Sequence, residues 1–305
     1  MEIKLIEEIM KIPAVAGNER LLKEYIKTKA VNFADNVYED NFGNLICVKG
    51  NGGKKIMYNA SISTEGLFVT DVRENGVVKF SPIGQIEPEA HNMRKYTDEK
   101  GRIGVLFSEK EEKPSTSDMS VDFFGCGDIK NGDVLSPLCE YFSDGKTITG
   151  FSAGRGAAIY ILLSLIEKLK SNGKTLYFVF SVQDNLGFKG AGIAANNTEP
   201  DAAYVIGSAD CANKLTEIKA GGGPVLRIMD KNVIFDKNLR DTLTAELKPC
   251  EYQYEILSSK ADTNNRILYL GKGIPALNIN CPVKFIKSFC ETVYISDIES
   301  IIDLF

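Results

Sequence analysis

Apolar residues occupy both faces of a predicted strand within Lys174–Gly187. Its alternating positions are apolar on either side: Leu176, Phe178, Phe180 and Val182 on one, Tyr177 and Val179 on the other. This pattern predicts a central strand that is buried on both faces. Three polar residues, at positions 183–185, follow it directly. Because the carboxyl ends of parallel strands face the ligand crevice in open α/β sheets, a functional site is expected there.

Helical spacing of apolar residues predicts helices near the start, in the middle and at the end of the chain. One covers residues 3–9, and Asn18 is predicted to cap the helix that follows it. A long amphipathic helix is predicted over residues 154–169. Ser296 and Glu299 predict a capping box at the start of the last helix.

Short alternating segments, separated by turn residues, predict a β domain inside this α/β pattern. The segments are Leu67–Val72, Val77–Ser81, Arg102–Phe107 and Asp133–Tyr141. We predict an α/β fold, a mixed sheet flanked by helices, with an inserted small β-barrel domain. The expected limits are 1–65 and 149–305 for one discontinuous α/β domain and 66–148 for the inserted β domain.

Composition narrows the class of protein. The 305 residues carry a net charge of −5 without a basic stripe, which argues against a nucleic-acid partner. The N-terminal apolar run contains acidic residues and no cleavage-like site, so no signal peptide is expected, and no apolar run is long enough to span a membrane. Seven cysteines without a CxxC pair predict free thiols and a cytoplasmic location.

Histidine is scarce in this chain. The one histidine, His91, lies in the β insert with no second histidine or cysteine pair beside it. A packing or surface role is expected for it, and a Ser-His-Asp or Cys-His arrangement is not.

Several segments follow one another in an order that carries a family resemblance. They are Tyr38–Val48 (YEDNFGNLICV), Lys55–Gly66 (KIMYNASISTEG), Asn75–Gly84 (NGVVKFSPIG), Thr149–Ala157 (TGFSAGRGA), Phe180–Gly187 (FSVQDNLG), Pro200–Ser208 (PDAAYVIGS), Gly223–Asp230 (GPVLRIMD) and Cys281–Ser288 (CPVKFIKS). Through these segments the chain resembles the glutamyl/deblocking aminopeptidase family. Its members are di-zinc enzymes that assemble as tetrahedral particles and are sometimes labelled endoglucanases. The resemblance implies a zinc-aminopeptidase-like core, two zinc or cobalt ions and a homo-oligomer.

The resemblance places the family's first metal ligands on residues that bind zinc poorly. The first histidine falls on Ser61, and the aspartate two residues later falls on Ser63. The bridging aspartate falls on Gly154, or on Ala153 in a second register, in which Arg155 matches the family's arginine.

The remaining family positions continue this trend. The general base falls on Asp184, which keeps a carboxylate one methylene shorter, and the neighbouring zinc-ligand glutamate falls on Asn185. The next carboxylate ligand falls on Ile206, or on Gly207 in the other register, and the last histidine falls on Lys287. No ligand position keeps a good zinc ligand in either register.

Two hypotheses of different classes follow. In the first, the chain uses no metal cofactor and is a pseudo-enzyme with a binding, assembly or regulatory role, in which Asp184 is a vestige. Its pocket would hold a small peptide or amino-acid-like ligand, or a Lys287–Asp184 pair would fill it. The predicted pocket residues are Ser61, Ser63, Arg155, Asp184, Asn185 and Lys287.

In the second hypothesis, the chain is still a metallo-aminopeptidase or hydrolase with an atypical metal site. Asp184, Asp210 and Asp262 would then be the ligands. Carboxylate oxygens suit Mg²⁺, Ca²⁺ or Mn²⁺ better than zinc.

Overall fold

The computed structural model describes residues 2–125, 128–212, 217–245, 251–257, 267 and 272–305. The helices are α1 (Lys4–Lys11), α2 (Arg20–Ala30), α3 (Pro88–His91), α4 (Ala153–Lys168), α5 (Lys189–Thr198), α6 (Lys237–Thr244) and α7 (Ile295–Asp303). The first nine strands are β1 (Asn36–Glu39), β2 (Leu45–Lys49), β3 (Lys55–Ser61), β4 (Gly66–Val72), β5 (Val77–Ile83), β6 (Arg94–Thr97), β7 (Ile103–Ser108), β8 (Met119–Asp122) and β9 (Val134–Pro137). The others are β10 (Phe142–Ser143), β11 (Thr147–Gly150), β12 (Thr175–Ser181), β13 (Ala202–Asp210), β14 (Val225–Asp230), β15 (Gln253–Leu257), β16 (Ala276–Val283) and β17 (Glu291–Tyr294).

An eight-stranded mixed sheet forms the centre of the α/β part, in the order β1-β2-β12-β3-β13-β16-β14-β15. Strands β12, β3, β13 and β16 run parallel, while β2 and β14 join them antiparallel. Strands β4 to β9 close into a separate six-stranded barrel. The predicted fold class, a mixed sheet flanked by helices with an inserted barrel, is confirmed.

Strand β12 is buried on both faces, as its apolar pattern predicts. Phe178 packs in the large core beneath α4 and stacks on Tyr58 of β3, with ring centroids 5.3 Å apart. On the opposite face Val179 packs against small residues of α5, Ala191 and Ala194 among them. The strand therefore ties the two helical layers together, and its carboxyl end is fixed from both sides.

Helix α4 differs from its prediction. The sequence predicts an amphipathic helix, but 13 of its 16 residues are buried. Helices α1, α2 and α7 cover one side of α4, and strands β3, β13 and β16 cover the other. A helix enclosed in this way has no solvent face, so small and apolar residues surround its whole circumference.

Both predicted helix caps are wrong. Helix α2 begins at Arg20 with Glu19 in the cap position, while the backbone N–H of Asn18 donates to Val15 O at 2.7 Å. Helix α7 begins at Ile295, directly after β17, so Ser296 already lies inside the first turn and cannot cap it. In each case the preceding residues are held by another backbone contact, which moves the start of the helix by one or two residues.

The barrel has its own apolar core, which includes Leu67, Tyr96 and Leu106. His91 is buried beside this core, and burial lowers the pKa of its imidazole to about 4. The predicted strand 133–141 is shorter, because β9 ends at Pro137 and β10 and β11 form a small sheet with β17 instead. The limits 1–65, 66–148 and 149–305 stay our proposal for the division into domains.

None of the helices in the described part of the chain is long and apolar enough to cross a membrane.

We expect Gly190→Ala to destabilise the protein, although alanine normally favours a helix over glycine. A Cβ at position 190 would overlap the carbonyl oxygen of Val182 and lie 2.6 Å from Asn44 Oδ1. Overpacking of this kind costs about 1–3 kcal/mol of the free energy of unfolding, measured by urea denaturation. Gly52→Ala is the matched control, because its new Cβ would meet nothing closer than 3.8 Å. Equal stability of both variants would contradict the proposed close contact between α5 and β12.

Candidate functional site

A cavity of about 720 Å³ opens where the carboxyl ends of the central parallel strands meet. Ser61 ends β3 and lies in register with Ser181 of β12, while Ile206 of β13 lies beside Ala60 of β3. The residues singled out from the sequence converge on this cavity from separate parts of the chain. Those that line it are Ser61, Ser63, Arg155, Asp184, Asn185, Ile206, Gly207 and Lys287.

Gly154 lies beside the cavity in the first turn of α4. A Cβ at this position would overlap Ser208 Oγ and approach Val283 to 3.0 Å. The N–H of Gly154 donates to Glu291 Oε2 at 3.2 Å. Helix α4 thus approaches β13 so closely that a side chain at position 154 has no room in this packing.

Asp184 is buried just after the end of β12. The chain turns sharply here, with Gln183 in the left-handed region at φ 57°. Ser181 Oγ donates to Asp184 Oδ2 at 3.1 Å, and the N–H of Asp184 donates to Ser63 Oγ at 3.3 Å. Ser181 at the end of β12 therefore holds the carboxylate in the wall of the cavity, and Ser63, just after β3, holds the backbone of the same residue.

A carboxylate that the sequence analysis missed fixes this turn. Glu19 is only 5% exposed and accepts hydrogen bonds from Ser63 Oγ (2.8 Å), Gln183 N (2.7 Å) and Gly17 N (3.0 Å). It joins the start of α2 to the exits of β3 and β12. The sequence offers no signal for this role. A charged residue at the start of a helix is normally exposed, and Glu19 is far along the chain from Gln183.

Two further acids in the cavity also escaped the sequence analysis. Glu291 accepts the N–H groups of Lys287 at 2.9 Å and Gly154 at 3.2 Å, and burial raises the pKa of its carboxyl to about 7. Burial also raises the pKa of Glu65. Arg155 lies near both, and burial lowers the pKa of its guanidinium to about 10. A weak signal existed, since Glu65 and Glu291 lie within a few residues of Ser63 and Lys287.

Lys287 connects the cavity to the barrel. Its backbone is in the left-handed region, at φ 65°, a rare conformation for a residue other than glycine. Its Nζ donates to Oε1 of Gln85, a residue that follows β5 of the barrel. The side chain therefore spans from the α/β part to the barrel at the edge of the cavity.

The side chains around the cavity differ from the ligands of a two-zinc centre. Within the described ranges, no three His, Cys, Asp or Glu side chains come together in a way that could hold a metal ion. Asp210 does not line the cavity and its Oδ1 accepts the N–H of Ala212 at 2.8 Å, while Asp262 lies outside the described residues. A hydroxyl, an amide, an alkyl group and an ammonium do not make zinc sites, so the family positions do not fit two zinc ions.

Comparisons with known proteins agree with the resemblance found in the sequence. A family model described as M42 glutamyl aminopeptidase matches residues 43–304. A protein of Acetivibrio thermocellus, whose name assigns it to the aminopeptidases, is 29% identical over 98% of this chain and 96% of its own length. The aminopeptidase APDkam598 of Desulfurococcus kamchatkensis has a TM-score of 0.91 at 24% identity, covering 99% of this chain and 92% of that one. The TET1 peptidase of Pyrococcus horikoshii has a TM-score of 0.89 at 25% identity, covering 99% and 97%.

These findings correct one prediction. No metal cofactor was expected from the sequence, and that expectation is wrong, because aminopeptidases of the matching family use divalent metal ions, zinc or cobalt. Divalent metal ions are therefore the cofactors against which this chain has to be assayed.

We expect Glu19→Gln to destabilise the protein and loosen the turn that carries Asp184. The substitution replaces charge-assisted hydrogen bonds to buried donors, which contribute about 1.5–3 kcal/mol, by neutral ones. Urea denaturation measures the resulting decrease in the free energy of unfolding. Glu24→Gln on the same helix is the control, since Glu24 forms only an exposed pair with Arg20 and its replacement should change the free energy of unfolding by less than about 0.5 kcal/mol. Similar losses in the two variants would refute the role given to Glu19.

Proposed function

The chain belongs to the M42 glutamyl aminopeptidase family, and from this premise we propose that it binds peptide-like ligands in the central cavity without hydrolysing them by a two-zinc mechanism. It is, on this proposal, a pseudo-enzyme of a peptidase family. Its role is binding, assembly or regulation.

One observation supports the proposal above all others. The positions that the resemblance assigns to the family's metal ligands lie in or beside one cavity, and in neither register does any of them carry a zinc ligand. They are Ser61, Gly154, Asn185, Ile206 and Lys287. Misalignment of a single position does not account for this, because the only histidine, His91, is buried in the barrel.

Hydrolysis of an amide at neutral pH requires an activated water and a polarised carbonyl. The residues at the positions that the resemblance assigns to metal ligands do not provide either. A pair of zinc ions lowers the pKa of bound water toward about 7 and polarises the carbonyl. An ammonium group at Lys287 repels a cation placed beside it. Asp184 acting alone as a general base would accelerate hydrolysis about 10²–10⁴-fold. Enzymes typically accelerate their reactions about 10⁶-fold or more over the uncatalysed rate.

The cavity nevertheless keeps the features of a binding site. It lies at the carboxyl edge of a parallel sheet, where α/β proteins bind their ligands. Its volume of about 720 Å³ suits a small molecule, and polar groups from several elements converge on it. Asn185, Ser208 and Gln85 add hydrogen-bonding side chains to the charged ones.

A second candidate function is peptide hydrolysis with an atypical divalent metal. One observation favours it: Asp184, at the position of the family's general base, is buried and held by Ser181 and Ser63 in the cavity wall. The family's use of divalent ions points the same way.

We expect no aminopeptidase turnover from the purified protein on a panel of dipeptides and amino-acyl substrates, with Zn²⁺, Co²⁺ or Mn²⁺ added in turn. Isothermal titration calorimetry with the same dipeptides should detect binding. An Asp184→Ala variant run in parallel identifies turnover that originates in this cavity. Metal-dependent turnover that Asp184→Ala abolishes would establish the second candidate and reject the first.

We also propose a homo-oligomer in the cytoplasm. The TET1 peptidase of Pyrococcus horikoshii assembles into a tetrahedron or a large octahedral shell, which supports assembly of this chain. The cytoplasmic location is supported by the free cysteines of the described residues, Cys47, Cys139, Cys211, Cys281 and Cys290.

Light scattering coupled to size exclusion should give a mass of at least twice 33.5 kDa at micromolar concentration. Assembly through a shared family interface is the physical reason for this expectation. A monomer across the micromolar range would end the assembly proposal and leave the binding proposal intact.

A further inference from the structure

One serine in the wall of the central cavity is hydrogen-bonded to a buried carboxylate. Ser63 lines the cavity, and its hydroxyl donates to Glu19 Oε1 at 2.8 Å. Glu19 is not one of the lining residues, so its carboxylate supports Ser63 from behind the wall. A hydroxyl nucleophile is activated by a base within hydrogen-bond reach, about 2.6–3.2 Å. The contact between Ser63 and Glu19 meets this condition.

The carboxylate of Glu19 is held in one orientation by two backbone groups. The N–H of Gly17 donates to Oε2 at 3.0 Å, and the N–H of Gln183 donates to Oε1 at 2.7 Å. Rotation of the carboxylate would leave these donors without their acceptor, which is costly in a buried place. In pairs of nucleophile and base, a third group normally orients the base in this way.

The hydroxyl oxygen of Ser63 keeps a lone pair for attack. A serine hydroxyl has one proton and two lone pairs. Its proton is donated to Glu19, and one lone pair accepts the N–H of Asp184 at 3.3 Å. The second lone pair is therefore left for a carbon atom bound in the cavity.

A cation lies beside this serine. Arg155 also lines the cavity, and its Nη1 donates at 3.0 Å to the carbonyl oxygen of Ile62, the residue before Ser63. Burial lowers the pKa of the guanidinium to about 10, so it remains charged at neutral pH. Among the described residues, its buried Nε has no hydrogen-bond partner. A cationic donor beside a nucleophile can stabilise an oxyanion.

From this arrangement we propose that the cavity hydrolyses carboxylic esters through Ser63. Ser63 Oγ forms a bond to the carbonyl carbon while its proton passes to Glu19, and Arg155 stabilises the oxyanion. The bond from carbon to the leaving oxygen then breaks, and the alcohol takes the proton from Glu19. In the second half, water attacks the acyl group and gives a proton to Glu19. The bond to Ser63 Oγ breaks, and the serine regains that proton.

The chemistry of Glu19 limits the class of substrate. A carboxylate is a weaker base than the imidazole that usually activates serine, so its help is smaller. An ester suits it better than an amide, because an alcohol or a phenol leaves more easily than an amine. This activity goes beyond the proposed binding of peptide-like ligands and does not depend on it.

A fluorophosphonate probe tests the proposal on the unaltered protein. Attack by an activated serine forms a stable bond to phosphorus and releases fluoride, and tandem mass spectrometry locates the modified residue. We expect the adduct on Ser63. We also expect turnover of p-nitrophenyl butyrate, and Ser63→Ala should reduce it to the background rate.

Two further variants complete the ester assay. Glu19→Gln should lower the rate of ester hydrolysis at least about 100-fold, which is the usual effect of losing a general base. Ser296→Ala, exposed on α7, is the matched control and should leave the rate unchanged. Thermal unfolding of each variant shows that it is folded at the assay temperature. The position of the adduct is measured on the unaltered protein, so it does not depend on how stable the variants are.

The absence of an adduct, an adduct on another residue, or ester turnover that survives in Ser63→Ala would overturn the inference. Calorimetry with dipeptides separates this result from the proposed function. Dipeptide binding without a reactive Ser63 rejects the esterase inference and leaves the proposed function standing. A reactive Ser63 without dipeptide binding supports the inference and rejects the proposed function.

Discussion

The arrangement of the cavity depends on one buried carboxylate, Glu19. It accepts hydrogen bonds from the exits of two neighbouring strands, through Ser63 and Gln183, and from the loop before α2 through Gly17. Three separate segments thereby share a single acceptor group. Without it, the left-handed turn at Gln183 would lose its anchor, and Asp184 would no longer be held against Ser63. A side chain far along the sequence from Gln183 thus fixes the turn that carries Asp184.

The parts of the fold that depend on local pattern were predictable from the sequence. Strand β12 is apolar on both faces and occupies the centre of the sheet, and its polar end marks the cavity. Helix α4 was misjudged, because spacing of apolar residues does not show whether the other side of a helix meets solvent or a second layer. The caps at Asn18 and Ser296 failed because neighbouring backbone contacts decide where each helix begins.

Some residues of the cavity could likewise be predicted from the sequence, and others could not. Residues such as Asp184 and Lys287 were found because they occupy positions in recognisable segments. Glu19, Glu65 and Glu291 were missed, since each becomes meaningful only when strands from three regions are brought together. Long-range contacts of this kind leave no periodic trace in a single sequence. These three acidic residues could therefore be identified only from the folded structure.

The contact between Gly154 and Ser208 limits how position 154 can vary over time. Any larger residue there would collide with Ser208 Oγ, so α4 or β13 would have to shift first. Packing therefore restricts this position to glycine, and a substitution could persist only together with a compensating change in the residues that face it, Ser208 and Val283.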